Sequence, residues 1–166
     1  MTDTVSGAPS VRELLRQYVT VLEELRNRGV LRGSGSPAGD YAELLFSKAF
    51  QWQIQRSSVA GFDAVDAAGI RYQVKAKRLT RSNRSRQLSD FKDLDSKPFD
   101  QLAAVLFGEE FGVQRAALIP IEVVVREATL VPEAHAWKFS LQDSVWEIPE
   151  VHDVSEALRS AEKELG

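Results

Sequence analysis

From Ser10 to Arg28 the apolar residues Leu14, Leu15, Tyr18, Val19, Leu22 and Leu25 recur at helical spacing, and Ser10 with Glu13 three positions on forms a capping-box signature. The spacing predicts a first helix over 10–28, stopped by Gly29 and followed by a flexible loop, Gly33-Ser34-Gly35-Ser36-Pro37. A second helix is expected from about Asp40 to Phe50, with Leu44, Leu45, Ala49 and Phe50 facing inward. The pattern then turns extended over Trp52–Gln55 and again from Phe62 to Leu79. Ala67-Ala68-Gly69 supplies a tight turn within the second stretch, so a central hairpin is expected there. Arg81–Lys97 is polar and irregular and reads as a long arm or a short helix. Gln101–Phe107 reads as a buried strand, Gly108–Gly112 as a turn and Arg115–Ile119 as a returning strand, with Pro120 opening a helix that runs to about Ala128. Trp137–Trp146 is expected to hold one or two edge strands. Asp153 and Glu156 mark the start of a short closing helix with Val154, Ala157, Leu158 and Leu165 on one face.

Strands interleaved with helices place the chain in the α/β class, with a central mixed β-sheet flanked by helices, an N-terminal helix and a short C-terminal helix. No internal repeat or break in composition marks a second domain, so one domain over 1–166 is expected, with 1–9 disordered and the core over 39–128. A chain of 166 residues buries about two-thirds of its unfolded surface, which suits one core. No apolar stretch is long enough to cross a bilayer, and Met1–Ser10 lacks a basic-then-apolar leader pattern, so the expectation is a cytoplasmic protein without membrane partners.

Composition narrows the chemistry. The sequence has no cysteine, which excludes disulfides, thiolate metal sites and a cysteine nucleophile, and leaves hard cations on oxygen ligands as the natural metal class. The net charge of -3 hides an asymmetry. Arg71, Lys75, Lys77, Arg78, Arg81, Arg84 and Arg86 fall in one acid-free stretch, which leaves the remainder of the chain strongly acidic. A concentrated basic patch on an acidic body can hold and orient a phosphate backbone, and Lys77, Arg78, Arg81, Arg84 and Arg86 are the candidate contacts.

A hairpin that pivots on Ala68 sets Asp63 opposite Gln73 and Val65 opposite Arg71. The two-residue period then puts Gln73, Lys75 and Lys77 on the face of Asp63, with Tyr72, Val74 and Ala76 on the other. Phosphodiester hydrolysis needs oxygen ligands for a divalent cation, positive charge at the phosphate and an activated water. Asp63 offers a carboxylate, Gln73 an amide oxygen and Lys75 an ammonium, while Glu43 on the preceding helix offers a further acid.

In the order Gly39-Asp40-Tyr41-Ala42-Glu43, Gly61-Phe62-Asp63 and Gln73-Val74-Lys75, these residues resemble the PD-(D/E)xK nuclease superfamily, over roughly Gly39 to Leu118. The resemblance implies a restriction-endonuclease-like core and metal-dependent cleavage of nucleic acid, DNA before RNA, with Mg²⁺ or Mn²⁺ as cofactor. It matches Asp63 to the metal carboxylate, Gln73 to the second acid, Lys75 to the catalytic lysine and Glu43 to the helix acid, so that Asp63, Gln73 and Glu43 form the metal set. Phe62 stands in place of the signature proline, and Gln73 in place of the usual Glu, which removes a negative charge from the metal site.

Other residues have plainer roles. Asp66 reads as a turn former, and His135 and His152, far apart and without a ligand motif, read as structural. The Gly33–Pro37 loop lacks the ending of a phosphate-binding loop, and Trp52, Trp137 and Trp146 read as core. Two alternatives to a nuclease stand beside it: a nucleic-acid binding module that keeps the fold without catalysis, and a protein-interaction or regulatory subunit. A homodimer and a protein partner are left open, since nothing in the sequence marks an interface.

Overall fold

A computed structural model describes residues 7–55 and 61–166, and the part of the expected disordered end over 1–6 lies outside them. The chain falls into two compact units, one ending at Pro37 and the other running Ala38–Gly166. The first is built on helix α1 (Val11–Asn27), with the expected cap: Ser10 N donates to the Glu13 carboxylate at 2.6 Å, and Glu13 N donates to Ser10 Oγ at 3.3 Å. At its other end Gly29 takes φ +72° and the Gly29 and Val30 amides return to the Arg26 and Leu25 carbonyls, satisfying acceptors that the last turn leaves open. None of its residues is buried, and Leu14, Leu15, Tyr18 and Val19 are all more than half exposed.

The second unit opens one residue into α2 (Pro37–Phe50) and continues through β1 (Gln53–Ile54), β2 (Ala64–Val65), β3 (Arg71–Arg78), β4 (Gln101–Phe107) and β5 (Val113–Pro120). There follow α3 (Ile121–Glu127), β6 (Thr129–Val131), β7 (Ala136–Lys138), β8 (His152–Asp153) and α4 (Ser155–Leu165). Six strands form a mixed sheet in the order β1-β2-β3-β4-β5-β8, antiparallel throughout except for the parallel β3–β4 pair. A parallel pair demands a crossover, and residues 79–100 supply it.

Strand β4 shows how the sheet divides the core. Its alternate residues Leu102, Ala104 and Leu106 belong to one hydrophobic layer, and Ala103, Val105 and Phe107 to the other, all of them buried. On the second face α2 supplies Ala38, Ala42, Leu45 and Phe46, and α4 supplies Leu158 and Ala161. The first face is covered by α3 and by Leu88, Phe91, Leu94 and Phe99 of the crossover. Trp52 fills the second layer, stacked on Tyr72 at 3.7 Å between centroids and flanked by Phe46 and Phe50.

Four local expectations change. On α2 it is Phe46 rather than Leu44 that is fully enclosed, because the buried stripe runs through Ala38, Ala42 and Leu45. The segment Arg81–Lys97 is no arm: bridges Gln87–Ser140 and Phe91–Trp137 tie it down, and a single 3₁₀ turn, Leu94–Ser96, ends it. Trp137–Trp146 contributes only β7, which pairs with β6 outside the main sheet, and then a 3₁₀ turn, Asp143–Glu147; the sheet edge falls to β8 instead. Helix α4 begins without the expected cap, since the Asp153 carboxylate accepts from Ser155 N and Oγ in place of reaching Glu156. No helix among the described residues is long and apolar enough to cross a membrane.

Candidate active site

The site is assembled by the β2–β3 hairpin. Its turn is closed by Asp66, whose carboxylate accepts from the amides of Ala68 and Ile70 at 2.9 Å each and from the Tyr72 hydroxyl at 3.0 Å, with Gly69 at φ +82°. The Ile70 amide, above the other donors, holds the Asp66 carboxyl below the usual range, while burial, then Asp66 itself, pushes the Tyr72 phenol up to about 12. This turn fixes the pairs Ala64–Tyr72 and Val65–Arg71, the register expected from the sequence.

One residue further out, Asp63 N donates to the Tyr72 carbonyl at 2.8 Å. Its carboxylate Oδ2 accepts from Gln73 Nε2 at 2.6 Å and from the Val74 amide at 2.8 Å. Asp63 and Gln73 are therefore in direct contact, with the glutamine donating its NH₂ and keeping its oxygen for another partner.

Lys75 projects from the same side of β3 as Gln73, away from the Tyr72 and Val74 side chains that enter the second layer. Its ammonium donates to Ser89 Oγ at 2.7 Å and to the Asp90 carbonyl at 3.2 Å, and sits 4.9 Å from the centre of the Phe91 ring. Burial pushes its pKa down, against the opposing pull of the Asp63 and Asp90 charges. Ser89, Asp90 and Phe91 went unrecognised in the sequence, where they lie in a polar stretch without periodicity.

Glu43 is placed differently. It is a half-buried residue of α2, and that helix packs on the Tyr72–Val74 face, opposite the one that carries Gln73 and Lys75. The structure thus joins Asp63, Gln73 and Lys75 through hydrogen bonds and charge, and sets Glu43 on the helix behind the strand. Among the described residues no three His, Asp or Glu side chains converge as a metal group. Asp63 and Gln73 are nevertheless hard oxygen donors of the kind suited to Mg²⁺, which binds through one or two carboxylates and keeps several waters.

The approach to Asp63 is braced at the sheet end. Arg71 grips Asp100 with two side-chain hydrogen bonds of 3.0 and 2.9 Å; the Arg71 amide also donates to the Asp100 carboxylate, and the Asp100 amide donates to the Arg71 carbonyl. Those hydrogen bonds hold the Asp100 carboxyl below the usual range. Beside them Gly61 adopts φ +100°, and a Cβ there would fall 2.4 Å from Pro98 Cβ. Gly61→Ala is therefore expected to destabilise the fold by at least about 1–3 kcal/mol and to lower any Asp63-dependent activity. Urea unfolding together with an activity assay checks both, and a variant of unchanged stability would contradict the brace.

The basic stretch is less free than its sequence suggests, because acids from elsewhere meet it. Arg71 has Asp100, Arg86 has Asp143 at 2.7 Å, and Arg81 lies 3.7 Å from the Glu109 carboxylate. Arg78 donates to the Glu109 carbonyl and stacks over Phe111. Lys77 is half-buried and follows Lys75 on the same face, while Arg84 is exposed. Arg81, Arg84 and Arg86 line a cavity of about 380 Å³ at the end of β3. No protein-family model matches the chain, and no curated protein matches it either.

Proposed function

We propose that this chain is a metal-dependent nuclease of the PD-(D/E)xK type, cleaving phosphodiester bonds in nucleic acid, with DNA favoured over RNA as substrate. The observation that carries the reading is the Asp63 carboxylate bonded to the Gln73 amide with the Lys75 ammonium two residues along the same face of β3. The element order adds support: a helix, three antiparallel strands, a crossover and a fourth strand parallel to the third.

In this reading Asp63 and Gln73 hold Mg²⁺ or Mn²⁺. The bound cation supplies Lewis-acid stabilisation of charge at the phosphate. The protein's own contribution is positional. The Val74 amide orients the Asp63 carboxylate, and Ser89 with the Asp90 carbonyl fixes two of the three Lys75 N–H bonds, leaving the third for a phosphate oxygen or the attacking water. Lys77, Arg81, Arg84 and Arg86 contact the phosphates on either side.

Purified protein with Mg²⁺ or Mn²⁺ and mixed DNA and RNA substrates is expected to cleave, to stop on chelation, and to lose activity as Asp63→Ala. Absence of cleavage with either metal and every substrate would reject the reading. A second reading, a binding module without catalysis, is favoured by one feature: Gln73 takes the place of an acid and turns its NH₂ towards Asp63. It predicts salt-sensitive binding that needs no metal and ignores Asp63→Ala.

A further inference from the structure

We infer that the cavity at the C-terminal end of β3 is a phosphate seat, and that Glu109 guards it as an internal competing anion. The inference rests on the nucleic-acid reading above and extends it to a second point along the bound strand. The walls include Thr80, Arg81, Arg84, Arg86, Glu109 and Gln114. Three arginines and one glutamate are among the lining residues, and even with Asp143 bound to Arg86 the arginines outnumber the acids; the planar guanidinium fork matches phosphate oxygens.

The three arginines project from an ordered loop. Thr80 and Asn83 exchange backbone hydrogen bonds of 2.9 and 3.3 Å, the Asn83 amide donates to Thr80 Oγ1 at 3.0 Å, and the Ser85 amide donates to Asn83 Oδ1 at 3.1 Å. Arg86 is held in place by Asp143. Arg84 has no ion-pair partner among the described residues, and Arg81 meets Glu109 only at 3.7 Å, beyond hydrogen-bond reach, with the Arg81 side chain 92% exposed. An exposed pair of that kind is weak, so a phosphate displaces Glu109 at small cost. Arg78 takes no part in the seat: bound to the Glu109 carbonyl, it holds the guarding segment in position.

The near wall of the cavity, Leu79, lies four residues beyond Lys75 and one past the end of β3, about 13 Å at the rise of an extended strand. A nucleic-acid strand carries one phosphate per nucleotide, spaced about 3.4 Å along the axis of a duplex, so a span of this length reaches beyond a single phosphate. A strand passing over Lys75 therefore brings a flanking phosphate, rather than the scissile one, to the arginines.

Equilibrium binding of a short labelled DNA duplex in EDTA, across a salt series, tests this without any need for cleavage. Arg84→Ala is expected to weaken binding and to flatten the slope of log affinity against log salt by about 0.9. Glu109→Gln is expected to tighten binding severalfold, a gain that misfolding cannot produce. Duplexes with and without a 5′-phosphate separate an end phosphate from an internal one: a preference lost in Arg84→Ala assigns the former, and equal binding that still depends on Arg84 assigns the latter. If the unaltered protein binds DNA but both variants bind as it does, the seat is overturned and the nucleic-acid reading stands. If the unaltered protein binds no DNA, in EDTA or with Ca²⁺ in its place, the seat is overturned, and cleavage with Mg²⁺ or Mn²⁺ decides the nuclease reading separately.

Discussion

Lys75→Met is expected to reduce metal-dependent cleavage by about 10²–10³-fold, the usual loss when one preorganised donor to a developing charge is removed. The same substitution should leave thermal stability unchanged or raised. Methionine keeps most of the stem of Lys75 in contact with Phe91, and it removes an ammonium that burial already disfavours. A variant that loses activity and stability together would mean that the lysine only supports the fold.

The lowered pKa adds a pH signature. The folded protein releases this proton at lower pH than the unfolded chain does, so between the two values the unfolded state binds more protons and stability rises with pH. Cleavage that needs the ammonium falls across the same window. Unfolding and activity measured side by side against pH are therefore expected to move in opposite directions for the unaltered protein. Lys75→Met should show neither trend from this group.

Trp52→Ala is expected to cost about 3–5 kcal/mol, the range for deleting a large buried aromatic. The indole is buried against Tyr72 at 3.7 Å and against Phe46 and Phe50, so no neighbour is placed to fill the space without giving up its own stacking. The loss reaches the site as well. Tyr72 is the residue whose carbonyl receives the Asp63 amide and whose hydroxyl braces Asp66, so loosening it frees both ends of the hairpin. Denaturant unfolding measures the first effect, and hydrogen exchange of the Asp63 and Val74 amides the second; full protection of those amides would confine the damage to the core.

The hairpin was legible in the sequence because its determinants are local. Alternation fixes the face and the turn fixes the register, so Asp63 and Gln73 could be paired although ten positions apart in the chain. The surroundings of Lys75 were not legible. The segment that carries Leu88, Phe91 and Leu94 is anchored by the bridges Gln87–Ser140 and Phe91–Trp137, contacts about fifty residues away that impose no period on the segment itself. The charge pattern misled for the same reason. A stretch without acids looks open to phosphate, yet Asp100, Glu109 and Asp143 return to it from later strands and turns. Glu43 could be assigned to a helix, but which face of β3 that helix covers depends on long-range packing of Leu45 and Phe46.

The alternation of β4 between two layers makes its residue count more critical than the identity of any one side chain. An exchange of Leu102 for another aliphatic of similar volume asks only for local repacking. Deleting a single residue from the strand would turn every subsequent side chain to the opposite side, setting Ala, Val and Phe where Leu, Ala and Leu now fit and the reverse, so that both halves of the interior fail at once.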